Sequence, residues 1–142
     1  MSRSIGGLSL TARDAASAAV GAAHAVFVFA LYDSLGFTTA YFHTALRAAF
    51  TVWTAVGALL LGTAVGWCWF RHRLALPAVT TAGVLAWSLV ETLPYAPRFS
   101  EVGYTAVGLT PFTLYRWGWL VVLAAAAVAA GVECAVRRRL LA

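Results

Sequence analysis

Lysine, asparagine and glutamine are absent from this chain, cysteine occurs twice, and ten arginines with five acidic side chains are its only formal charges in 142 residues. Each shortage closes a class of function. Without asparagine there is no N-glycosylation acceptor. Two cysteines, Cys68 and Cys134, cannot staple a disulfide scaffold, and no C-x-x-C or His/Cys cluster offers zinc-ligand spacing. No glycine-rich phosphate loop, nucleophile elbow, metalloprotease helix or catalytic carboxylate pair occurs, so the sequence favours a non-catalytic role over an enzyme while leaving the question open. The charged fraction is 11% where soluble domains hold ~25%, and the hydrophobic fraction is 62%. A water-soluble chain this short keeps a large exposed area and has nowhere to hide that much apolar surface. Lipid is the solvent that accommodates it.

What the chain does have is long uncharged runs. They cover residues 15–32, 48–70, 74–90 and 117–132, each bounded by Asp, Glu or Arg. Extended by a turn, each reaches the ~17–25 residues with which a helix crosses ~30 Å of hydrocarbon. Backbone groups in lipid must be paired within the segment, which makes helices the expected form, and the alanine-rich stretch 120–131 lacks the alternation of a barrel strand. The expectation is therefore an all-α, integral membrane four-helix bundle, one domain over 1–142, with spans at about 12–33, 45–70, 74–93 and 114–136. Pro77 falls in the first turn of the third span, where a missing N–H costs little; Pro94 and Pro97 end that span and Pro111 precedes the fourth. Ala23-His24-Ala25 has the form of a signal-peptidase site, but Arg13 and Asp14 interrupt what would be the apolar region before it, so the segment reads as a retained first helix.

Arginine placement sets the orientation. Four spans put Arg3, Arg13, Arg71, Arg73, Arg137, Arg138 and Arg139 on one side and Arg47, Arg98 and Arg116 on the other. The positive-inside rule places the first set, and with it both termini, in the cytoplasm of a cell-membrane protein. The formal net charge of +5 then belongs entirely to the cytoplasmic side, because Asp33, Glu91 and Glu101 balance the outer arginines. A nucleic-acid partner loses its main support, and contact with anionic headgroups takes its place. Trp67 and Trp69 near the inner boundary, with Tyr32, Trp117 and Trp119 near the outer one, fit an aromatic belt, whereas Trp53 and Trp87 lie deeper and are expected to pack.

The halves resemble each other. Residues 31–37 and 89–95 share the pattern L-x-[D/E]-[S/T]-L-x-[F/Y], Arg13 pairs with Arg71 at the same offset, and at a longer offset Trp53 pairs with Trp119 and Cys68 with Cys134. A two-fold repeat of parallel helical hairpins (2+2) would place Asp33 and Glu91 at equivalent sites. Chance matching of leucine-rich segments is the competing account.

Four charged residues, Asp33, Arg47, Glu91 and Arg116, fall near the outer ends of spans. They form either a polar vestibule for a substrate or interfacial ion pairs with snorkelling arginines, and the second is the ordinary case. His24 lies about mid-span in the first helix. It is either a helix–helix hydrogen bond or a ligand for haem or a pigment, though no second histidine lies at its depth and the sequence requires no cofactor. Ala58, Gly62 and Gly66 form a small-residue ridge suited to close helix packing. Glu133 and Arg137 are spaced for an i,i+4 pair, and Cys68 and Cys134 share a depth near the cytoplasm, where thiols stay reduced. His43 and Arg47 share a face if the second helix starts early, and the aromatic segment 94–115 is expected in the outer interface or against another subunit.

Three functions remain. The favoured one is a non-catalytic or accessory subunit of a larger membrane complex, with lipid and other membrane subunits or a second copy as partners. The alternatives are a small-solute or ion transporter or channel using the outer charges, and a haem- or pigment-binding subunit using His24. Fold class alone does not choose among them.

Overall fold

The computed structural model of the protein describes residues 11–35, 44–95 and 110–140, with the backbone alone at 44–47. Within them every regular element is helical: α1 (Ala12–Ser34), α2 (Thr44–His72), α3 (Leu76–Thr92) running into a 3-10 turn (Leu93–Tyr95), a short α4 (Pro111–Trp117), and α5 (Trp119–Leu140). Four of these, α1, α2 from Ala48, α3 with its 3-10 turn, and α5, are long and apolar enough to cross a membrane. The first three coincide with the expected spans to within a few residues. The fourth differs: the chain breaks at Gly118, the region 111–117 is a separate helix of about two turns, and the long helix starts only at Trp119.

Local chemistry explains the ends. Thr11 caps α1 by accepting from Asp14 N–H at 3.3 Å, while the Asp14 carboxylate accepts from the Thr11 N–H at 2.9 Å and its hydroxyl at 2.7 Å, a complete capping box. Helix α2 closes with Arg73 at φ 56°, the left-handed conformation usually given to glycine; Arg73 N–H donates to Trp69 O at 3.0 Å, the five-to-one bond of an αL end, and Leu74 N–H donates to Cys68 O at 3.1 Å. Helix α3 has Pro77 in its first turn and no cap from its own N-cap side chain. Glu133 on α5 supplies one instead, its Oε2 accepting from Leu76 N–H at 2.7 Å. Arg137 donates to Glu133 Oε1 and, at 2.6 Å, to Arg73 O, so the expected i,i+4 pair also ties α5 to the turn between α2 and α3. At the same end Arg71 lies 3.9 Å from Asp14. Thr11 and Leu140 therefore sit at one end of the bundle, the basic end.

Helix α1 lies along α2 with little between the backbones. A methyl on Gly62 would stand 2.8 Å from both Gly21 Cα and His24 Cβ, and one on Gly66 would stand 3.1 Å from Ser17 Cα. Gly21 in turn meets Leu59 O and the Thr63 hydroxyl, and Ala58 is buried one turn further along the ridge. Small residues are what such proximity requires. Helix α3 packs mainly on α4 and α5. The apolar centre consists of Val28, Leu61, Leu85, Phe112, Tyr115 and Val122.

Much of the outside is apolar, and part of the inside is polar. Val121 is 74% exposed, Val26 69%, Val128 68%, and Trp87, expected to pack, is 58% exposed. Ser17, Thr54, Thr81, Ser88 and Thr92 are buried. Several of these hydroxyls bond their own helix: Ser17 donates to Arg13 O at 2.8 Å, Ser88 to Leu85 O at 2.7 Å, and Thr92 to Ser88 O at 2.6 Å. An apolar core with this much exposed valine, leucine and tryptophan around it departs from the arrangement of a water-soluble bundle.

Candidate functional site

The short helix α4 carries the bundle's most unusual side chain inward. Thr110 caps it, accepting from Thr113 N–H at 3.2 Å, Pro111 starts it, and Phe112 N–H donates to Thr92 Oγ1 of α3 at 3.1 Å. With Phe112 wholly buried, α4 is pinned between α2 and α3, and its next turn sends Tyr115 and Arg116 into the interior. Gly118 then releases the chain into α5; a Cβ there would lie 2.7 Å from Leu114 O, which is the close approach this position requires.

Arg116 is 8% exposed. Its guanidinium carbon sits 3.7 Å from the centre of the Tyr32 ring, a cation–π contact, and Nη2 donates to Thr54 Oγ1 at 3.4 Å, a long bond. No carboxylate pairs with it among the described residues, whose ion pairs are Arg71–Asp14 and Arg137–Glu133 at the basic end. Beside it Tyr115 Oη and His24 Nε2 are 3.0 Å apart, joining α4 to α1; either atom can be the donor, depending on the histidine tautomer. A belt of aromatics closes the surrounding wall. Trp53 Nε1–H donates to Trp117 O at 3.1 Å, the Trp53 and Trp119 rings lie 5.2 Å apart, Phe50 stacks on Trp117 at 4.9 Å, and Gly57 leaves room for the Trp119 indole to press against α2.

Of the residues singled out by sequence, the structure brings together two, His24 and Arg116, through the adjacent Tyr115. Asp33 and Glu91 are exposed, at the ends of α1 and α3 away from the basic end. The side chain of Arg47 lies outside the described residues, as do His43, Arg98, Glu101 and most of the aromatic segment 94–115. Gly62 and Gly66 face α1, with Gly62 directly against the His24 Cβ, and Ala58 is buried. Sequence reading missed Thr54, Tyr115 and the inward turn of Arg116. The signal was there: Thr110-Pro111 is a helix start and Gly118 a helix stop, which together mark 111–117 as an element of its own.

Chemically the cluster is one cation and several N–H and O–H donors in an otherwise apolar interior. No group of three or more His, Cys, Asp or Glu suited to a metal ion occurs among the described residues. No protein-family model, curated protein or solved structure matches the chain.

Proposed function

We propose that the protein is a multi-pass protein of the cell membrane with both termini in the cytoplasm, and that its role is binding rather than catalysis. In this reading the cluster around Arg116 holds a small anionic ligand. The single observation that carries it is the burial of an arginine against Tyr32 and Thr54 with no carboxylate partner among the described residues. An ionised group inside hydrocarbon is costly unless it is paired or faces a polar site, so such residues mark binding and transport sites by default. A binding function without a catalytic set suits a subunit of a larger membrane assembly. The 2+2 repeat belongs to the same proposal, supported by the meeting of Trp53 and Trp119, the two residues it makes equivalent.

Two measurements test the proposal. Fluorescent-protein and alkaline-phosphatase fusions at the C-terminus report its side; fluorescence without phosphatase activity is expected, and the reverse overturns the topology. Thermal unfolding of the detergent-purified protein against inorganic anions and small carboxylates, at constant ionic strength, tests binding. A saturable rise in Tm with at least one anion, absent in Arg116→Met, is expected. No anion-specific rise overturns the binding role. Co-purifying membrane proteins in a mild-detergent preparation support the subunit role, and a lone monomer counts against it.

A further inference from the structure

Two buried N–H groups in the cluster have no acceptor: Arg116 Nε and Trp119 Nε1, on residues 8% and 7% exposed. A buried donor without an acceptor loses its hydration and gains nothing in return, so native interiors contain few of them; Thr81 Oγ1 on α3 is the third such atom among the described residues. Here two occur in the lining of one small cavity. Thr54, Tyr115 and His24 line it too, and Val28 and Leu61 supply apolar wall. Its volume of about 10 Å³ is room for the centre of one water-sized particle.

The donor and acceptor balance selects the occupant. Arg116 can only donate, and so can the Trp119 indole. The Thr54 hydroxyl already accepts from Arg116, which leaves its own proton to give. Tyr115 and His24 share one proton between them, so at most the outward lone pair of Tyr115 or its proton faces the space. A water molecule here would accept from Arg116 and Trp119 and would have to place its own two protons on the remaining lone pairs of Thr54 and Tyr115, without neutralising the guanidinium. A spherical monovalent anion accepts from every donor, requires none in return, and neutralises the guanidinium in a medium where that attraction is strong. Chloride is somewhat larger than a water molecule and needs the lining side chains to give slightly; phosphate, sulfate and carboxylates are larger still. We infer that the cavity is a halide site, a chloride-sized anion held by Arg116 Nε and Trp119 Nε1 with the Thr54 hydroxyl completing the shell.

This inference rests on the anion-binding reading above and narrows it to one ligand class. The full chain in detergent is unfolded thermally in sodium chloride, bromide and gluconate at equal ionic strength; gluconate is too large to enter. A saturable rise in Tm with chloride and bromide, and none with gluconate, is expected. Trp119→Phe keeps the ring against Trp53 and Gly57 and removes only the N–H, so it shifts the chloride midpoint upward about tenfold, the loss of one hydrogen bond to a charged group. Arg116→Met abolishes the response. Because either variant could fail to fold, the wild-type protein is also read by the NMR line width of chloride, which broadens on binding and is restored by bromide. Absence of excess broadening overturns the inference and leaves a single water as the occupant; a chloride response unchanged in Trp119→Phe overturns the site as assigned, since chloride would then bind without the Trp119 N–H. A Tm rise confined to non-halide anions and lost in Arg116→Met overturns the halide while the broader binding role stands.

Discussion

The contact between Tyr115 and His24 is the smallest unit on which the site can be probed. It spans 91 positions of sequence, crosses from α4 to α1, and is partly buried. Removing the hydroxyl leaves His24 Nε2 without its partner inside the bundle. Hydrogen bonds between helices in membranes measure about 0.6 kcal/mol on average and about 1.7 at most, less than the apolar surroundings would lead one to expect. Tyr115→Phe is therefore expected to lower thermal stability by about 0.5–1.5 kcal/mol. A double-mutant cycle with His24→Leu isolates the bond: Tyr115→Phe should have little further effect once the imidazole is gone. Full additivity in detergent melts would show that the two groups do not interact. The same cycle distinguishes a structural histidine from a cofactor ligand, since a purified protein with a haem or pigment on His24 would show visible absorption that Tyr115→Phe perturbs.

Among the elements, the α1–α2 pair and the α3 start make opposite demands on substitution. Gly62→Ala puts a methyl 2.8 Å from backbone and Cβ atoms of α1, which have no flexible end to give way. The helices must separate, and a loss of about 1–3 kcal/mol is expected. At Gly83 and Gly131 a methyl would meet nothing within 4 Å, so Gly83→Ala and Gly131→Ala should stabilise by about 0.5–1 kcal/mol through helix propensity alone. Chemical or thermal unfolding that ranks the three variants otherwise would refute the close packing. At the other end, Glu133→Ala removes both the cap of Leu76 N–H and the partner of Arg137, whereas Glu133→Gln keeps an acceptor; a larger drop in Tm for alanine than for glutamine is expected. These elements also show what a sequence reveals. The helices α1, α2 and α3 were legible because hydropathy runs and bounding charges are local properties, and the glycine ridge was legible because its spacing is. The break at Gly118 was assigned to a continuous fourth span, although Thr110, Pro111 and Gly118 are punctuation of the usual kind. Thr54 looked like one hydroxyl in a long apolar run, and its role arises only when Arg116 reaches it across 62 positions. Pairings of that kind are products of tertiary packing, and no periodicity in either helix encodes them.

For the molecule as a whole, the distribution of apolar surface makes an argument that no single helix does. In water, the exposed valines of α1 and α5 would be a penalty spread over the entire perimeter, and replacing one by a charge would be neutral or would improve solubility. In hydrocarbon the sign reverses, because an aspartate near the centre of a spanning helix costs about 2.5–3.5 kcal/mol on insertion scales. Val128 is the discriminating position: it is 68% exposed, lies near the middle of α5, and touches neither the Arg116 cluster nor the basic end. Val128→Asp is expected to reduce the amount of protein recovered in the membrane fraction severalfold, with Val128→Leu unchanged as the control for side-chain size. An aspartate placed instead at exposed Leu140, beside Arg137, Arg138 and Arg139 at the end of the same helix, should be tolerated, since there it meets cations and headgroups rather than acyl chains. Equal recovery of Val128→Asp and wild type would mean that something other than lipid surrounds α5. Either a soluble fold or a permanent polar partner would then have to account for a perimeter of valine, and the meaning of a cation buried beside Thr54 would change with it.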